Sequence, residues 1–120
     1  MIVKLPEKSN WYGYCNMHDY VPKTSYFPSM YMAMGKGLDE VKNLIEGILN
    51  TNPSYEALTE LVLVVNLISW DMYGLYEESK EPEYKAFGEY LADEFYRIRD
   101  IFYERYDSDE ARTYFWEMTD

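Results

Sequence analysis

The sequence predicts a mainly α-helical protein: a small bundle of three to five helices preceded by an irregular or short-β N-terminal lobe. Over residues 38–120 the apolar side chains recur at spacings of three and four, which is the period of an α-helix. Residues 1–37 show no sustained period and hold six of the prolines and glycines. A chain of 120 residues suits one hydrophobic core. We therefore expect a single domain over 1–120, with the lobe at 1–37 and the bundle at 38–120.

The N-terminal lobe contains two short strand candidates, residues 2–5 and 11–15, because aromatic and β-branched side chains favour a pleated surface. Methionines alternate at 30, 32 and 34, as in an extended segment. The same stretch also fits one helical face with Pro28 in its first turn, and we favour the helix. We expect its methionines to fill the core, although methionine also suits an adaptable binding surface.

Two amphipathic helices are predicted next. Residues 38–50 form the first, with Asp39 and Glu40 in its positively polarised first turn. Asn52 and Pro53 read as a cap and first-turn pair that begins the second, over residues 53–76. Residues 61–68 are apolar on nearly every side, so this helix is expected to be the central and most buried one.

The strongest helical pattern covers residues 83–106, opened by Pro82. Six apolar side chains form one stripe along it: Tyr84, Phe87, Leu91, Phe95, Ile98 and Phe102. Asp107 and Glu110 have the spacing of a capping box, which predicts a last helix over 110–118. That helix is expected to bury Ala111, Phe115 and Met118.

The net charge of −11 lies mostly in the second half of the chain. Residues 1–60 carry five basic and seven acidic side chains, whereas residues 61–120 carry six and fifteen. Such a field repels nucleic acid and anionic lipid and attracts basic protein surfaces. The nearly uncharged stretch at 61–70 is about half of the roughly 20 residues that a membrane span needs. With a single cysteine as well, we expect a cytoplasmic protein.

The side of helix 83–106 opposite its apolar stripe carries a row of carboxylates. At about 100° per residue, Glu89, Asp93, Asp100, Glu104 and, if the helix reaches it, Asp107 fall within about 60° of one another. Their successive separations along the axis are roughly 6, 10, 6 and 4.5 Å, of the order of phosphate separations in a nucleic-acid strand. Tyr96 and Tyr103 flank the row, and tyrosine is enriched at interface centres.

These seven residues form the predicted partner-binding site: Glu89, Asp93, Tyr96, Asp100, Tyr103, Glu104 and Asp107. The alternative is that the row is only a solvated face, which any helix in an acidic protein shows. The near balance of charge in the first half favours the interface, because solubility alone does not require this concentration of acid.

Catalytic and metal-binding readings are weaker. Cys15, His18 and Asp19 are close in sequence, but a structural zinc site needs four ligands and the chain has one cysteine and one histidine. Gly35-Lys36-Gly37 lacks the spacing of a phosphate-binding loop. We expect no catalytic activity, no cofactor and no metal site.

In length, charge and tyrosine-rich acidic helices over residues 71–120, the chain resembles the small acidic inhibitors made by phages, which include anti-restriction and anti-CRISPR proteins. The resemblance is of general character and rests on no motif, so no functional residue is transferred. It implies an acidic DNA mimic that blocks the basic nucleic-acid-binding surface of a defence nuclease or CRISPR effector. Two alternatives remain. One is an immunity protein or antitoxin against a basic nuclease toxin, and the other is a structural or assembly protein that self-associates, as a homodimer, through exposed aromatics such as Trp11, Trp70 or Trp116.

Overall fold

The computed structural model describes residues 26–119, of which 88% are helical, in five helices and without a strand. The helices are α1 (Tyr26–Lys36), α2 (Leu38–Leu49), α3 (Tyr55–Ser79), α4 (Pro82–Arg105) and α5 (Asp109–Thr119). The predicted small helical bundle is confirmed for this part of the chain. The strand candidates at 2–5 and 11–15, together with Cys15, His18 and Asp19, lie outside the described residues.

The last part of the predicted irregular lobe is a helix. Residues 26–36 form α1, which confirms the helix that was favoured for the methionine stretch over the extended alternative. Met30 and Met34 are fully buried because they lie four residues apart on the same face, and Met32 points to solvent. The prediction that these methionines fill the core is therefore confirmed for Met30 and Met34 and is wrong for Met32.

The α3 helix is central to the bundle, as its apolar sequence predicts. Nearly every residue from Leu58 to Met72 is buried, and α3 packs along α4 with contacts to α1 and α5. By length and composition α3 is also the one helix among the described residues that would fit a membrane span; 67% of its apolar window is buried inside the bundle. A central core helix has the same properties.

The α3 and α4 helices run antiparallel at close range. The buried hydroxyl of Ser69 on α3 donates a hydrogen bond of 2.9 Å to the carbonyl oxygen of Gly88 on α4. Near the other end of the pair, the rings of Tyr55 and Tyr106 meet edge to face. A Cβ atom at Gly88 would come within 3.3 Å of the Tyr73 ring, so glycine permits this approach.

Two helix starts differ from the prediction. The α3 helix is capped by Ser54, whose Oγ accepts a hydrogen bond of 3.2 Å from the amide of Ala57, and not by Asn52. The α5 helix begins after Ser108, whose Oγ accepts from the amide of Ala111 at 3.1 Å. The Asp107–Glu110 capping box was therefore wrong. In both cases a serine stands directly before the helix, and its side-chain hydroxyl accepts a hydrogen bond from a backbone amide of the first turn.

The end of α3 gives a test of the backbone. Lys80 ends the helix in the left-handed region (φ 60°, ψ 20°), which costs a residue with a Cβ atom more than glycine. We expect Lys80→Gly to raise the free energy of unfolding by about 0.5–1 kcal/mol. Lys85→Gly, inside α4, should lower it by about 1 kcal/mol.

Both ammonium groups lie over the Tyr76 ring, at 5.4 and 5.7 Å, so the two lysines share this contact. Lys80 alone also pairs with Glu77, at 3.2 Å, and an exposed pair of this kind contributes little. Urea unfolding of both variants measures the difference. Changes of the same sign in the two variants would contradict the left-handed cap.

Candidate partner-binding surface

The acidic row predicted on α4 is exposed along its whole length. We call its five residues the acidic ridge: Glu89, Asp93, Asp100, Glu104 and Asp107. The stripe on the opposite side is where the helix enters the core, with Leu91 and Ile98 fully buried. Because the core fixes the rotation of α4, the ridge must face solvent.

The fifth member of the ridge does not belong to the helix. The α4 helix ends at Arg105, and Tyr106 is extended, so Asp107 lies in the link to α5. Two contacts fix this link: the Tyr106 hydroxyl donates to the carbonyl oxygen of Pro53, and Ser108 caps α5. The condition on which Asp107 was placed in the helical row, that the helix reaches it, is therefore not met.

Only part of the ridge is neutralised by nearby cations. Arg112 Nη2 lies 2.7 Å from Asp107 Oδ1, and Arg99 Nη2 lies 3.8 Å from Asp100 Oδ1. Glu89, Asp93 and Glu104 form no ion pair within residues 26–119. Three exposed carboxylates are thus left to attract an external basic group.

Two further arginines of α4, Arg97 and Arg105, bind elsewhere and not to the ridge. Arg97 forms ion pairs with Glu94 on its own helix, at 2.7 Å, and with Glu46 on α2. The hydrogen bond to Glu94 is the main cause that raises the pKa of Arg97 above its ordinary value. Arg105 donates a hydrogen bond of 3.1 Å to the carbonyl oxygen of Leu49. Both arginines therefore tie α4 to α2, and neither of them neutralises a ridge carboxylate.

The two predicted tyrosine anchors differ in environment. Tyr96 is 54% exposed and its ring contacts Phe95 and the Arg99 guanidinium. Tyr103 is half-buried against Phe115, and its hydroxyl accepts a hydrogen bond of 3.2 Å from Trp116 Nε1. Tyr103 therefore packs against α5 and holds Trp116 by a hydrogen bond, and only part of its ring faces solvent.

Trp116 completes this side of the surface and was not among the predicted site residues. It is 52% exposed on α5, beside Tyr103. We call Tyr96, Tyr103 and Trp116 the aromatic edge. The sequence held one signal for Trp116: it follows Phe115 directly, so it lies about 100° from the buried side of α5.

A second acidic feature lies beside α5, next to Tyr55 at the start of α3. An open depression of about 420 Å³ is lined by Tyr55, Asp109, Glu110, Thr113, Tyr114 and Glu117. The Tyr55 hydroxyl donates a hydrogen bond of 3.0 Å to Glu110 Oε1, and the Tyr55 and Tyr114 rings meet edge to face. The carboxylates of this depression extend the negative field of the ridge around α5.

The hydrogen bond to Glu110 is the main cause that raises the pKa of Tyr55 to about 12. We expect Glu110→Gln to lower the Tyr55 pKa, because an amide neither accepts as strongly nor repels the phenolate. NMR of ¹³Cζ-labelled tyrosine, titrated upward from pH 9, measures this change. The raised pKa means that the folded state retains the phenol proton as the pH rises past 10. An unchanged Tyr55 titration in the variant would show that the hydrogen bond does not form in solution.

Comparison of the chain with protein-family models, with curated proteins and with solved structures finds no match.

Proposed function

We propose that this chain is an inhibitor that binds the basic nucleic-acid-binding surface of a bacterial defence nuclease or CRISPR effector and blocks it one to one. It acts by binding, in the cytosol of the bacterial host, and not by catalysis. The observation that carries the proposal is the exposed ridge, three of whose five carboxylates have no ion-pair partner within the described residues.

The energetics of the ridge support this reading. Asp100 and Glu104 lie four residues apart on one helix, and like charges at that spacing destabilise a helix by a few tenths of a kcal/mol. Arg97 and Arg105 bind elsewhere, and only Arg99 approaches Asp100, so the fold leaves part of this repulsion in place. A basic partner relieves it on binding.

Affinity capture tests the proposal. The wild-type chain and a variant with Asp93, Asp100 and Glu104 changed to lysine are immobilised and exposed to lysate of a bacterial host. We expect only the wild type to retain a basic nucleic-acid-binding enzyme, to release it as salt rises, and to block its activity at one equivalent. Equal retention of the same enzyme by both chains would contradict the proposal.

An immunity protein or antitoxin would use the same surface against a basic nuclease toxin. Gene neighbourhood separates the two, because a toxin gene beside this one favours immunity and phage genes favour the inhibitor.

Self-association is favoured by a different observation: Trp70 on α3 is 64% exposed. Light scattering of the wild type and of Trp70→Ala tests this alternative. A dimer that becomes a monomer in the variant would support it.

A further inference from the structure

The aromatic edge lies along one flank of the acidic ridge only. Tyr96 and Tyr103 are seven residues apart, roughly 10.5 Å along the α4 axis, and both lie on the same side of the carboxylate row. The other flank carries Arg97, which is held by Glu94 and Glu46. The surface therefore has a charged row with exposed rings to one side.

Two arginines join the rings to the row. The Arg99 guanidinium lies 5.0 Å from the centre of the Tyr96 ring and also approaches Asp100. Arg112 lies 5.5 Å from the centre of the Tyr103 ring and pairs with Asp107. Each Tyr–Arg–Asp set fixes a ring relative to a carboxylate. The ridge and the aromatic edge are thus presented to a partner as one surface.

This arrangement matches a single nucleic-acid strand better than a duplex. A duplex keeps its bases stacked inside, so its outer face is a phosphate row without exposed rings. Proteins that bind single strands combine a basic groove along the backbone with aromatic side chains on which the bases stack. Carboxylates in place of phosphates, with Tyr96 and Trp116 in place of bases, fit both parts of such a groove.

Resting on the proposed function, we propose that the partner surface is a single-strand-binding groove. Its basic track takes the acidic ridge through charge complementarity, and its adjoining stacking platform takes Tyr96 and Trp116. A duplex-binding surface would offer the track alone and would leave both rings in water.

Competition with nucleic acid tests whether the partner surface binds a single strand or a duplex. The enzyme retained by the wild-type chain is released with a 20-nucleotide oligothymidylate or with a duplex of 20 base pairs. We expect the oligothymidylate to release it at a concentration roughly tenfold lower. Release by the duplex at an equal or lower concentration would overturn the single-strand assignment.

Ring removal tests the platform. Trp116→Ala and Tyr96→Ala should each weaken binding roughly tenfold, whereas Trp116→Phe should retain most of the affinity because it keeps a stacking ring. Trp70→Ala is the matched control, since it removes an exposed tryptophan from α3. Thermal unfolding of each variant shows whether the fold is intact, and Tyr96→Ala decides the matter if Trp116→Ala is unstable.

Different results would contradict the proposed function and the single-strand assignment. If the ridge variant loses the partner while Tyr96→Ala and Trp116→Ala bind like the wild type, the single-strand assignment falls and the proposed function stands. If the ridge variant retains the partner, the proposed function itself falls.

Discussion

Changing Asp93, Asp100 and Glu104 to lysine is expected to abolish inhibition while the protein keeps its helical content. In the proposed complex each change places an ammonium group where the carboxylate would meet a basic surface, and like charges in an interface cost several kcal/mol. The fold should survive because all three side chains are exposed and lysine is a better helix former than aspartate. Inhibition is measured by titrating the enzyme's activity, and helicity by circular dichroism.

A charge-matched control separates the ridge from net charge. Glu40, Glu78 and Glu81 are exposed, lie off the outer face of α4 and form no ion pair within residues 26–119. Their reversal to lysine changes the net charge by the same amount. We expect this second triple variant to inhibit with nearly the potency of the wild type. Equal loss in both variants would assign binding to overall charge, and no loss in the first would show that the ridge is only a solvated face.

Phe102→Ala is expected to cause the largest loss of stability, about 3–5 kcal/mol. The Phe102 side chain is fully buried, and its ring centre lies 4.6 Å from that of Phe115 and 5.6 Å from that of Tyr106. Removal of the ring leaves a cavity where α4 meets α5 and the link between them. A small domain has a total stability of about 5–15 kcal/mol, so this single change should remove a large part of it.

Urea unfolding measures the effect, with Phe102→Leu as a comparison that keeps most of the buried volume and should lose much less. Removal of the Phe102 ring should also loosen the packing of Trp116. Its hydrogen-bond partner Tyr103 and its chain neighbour Phe115 both contact the Phe102 ring. A loss below about 1 kcal/mol would contradict the placement of α5 against α4.

The exposure of the ridge could be predicted from the sequence because the side chains of a helix repeat every 3.6 residues, so the buried side determines the exposed side. Once Leu91 and Ile98 are assigned to the core, the opposite side of α4 is fixed, and four of the five carboxylates follow. Pro82 at the start of α4 was predictable for a similar reason, since its missing amide hydrogen is no loss in the first turn. Local chemistry was enough for both.

Features that depend on two elements could not be read in the same way. Trp116 meets Tyr103 only because α5 folds back beside α4, and the period of one helix carries no information on its neighbour. The ion pair between Arg97 and Glu46 likewise depends on where α2 packs. The cap of α3 was misassigned because Asn52 and Ser54 are both good capping residues, and only the completed turn selects Ser54.

We expect the partner to cover the outer face of α4. Hydrogen exchange and amide chemical shifts of the ¹⁵N-labelled chain, with and without the captured enzyme, locate the covered surface. We expect the largest changes at the acidic ridge, Tyr96 and the indole of Trp116, with little change near Trp70 and Met32. Changes centred on Trp70 or Met32, with the ridge unaffected, would contradict the account.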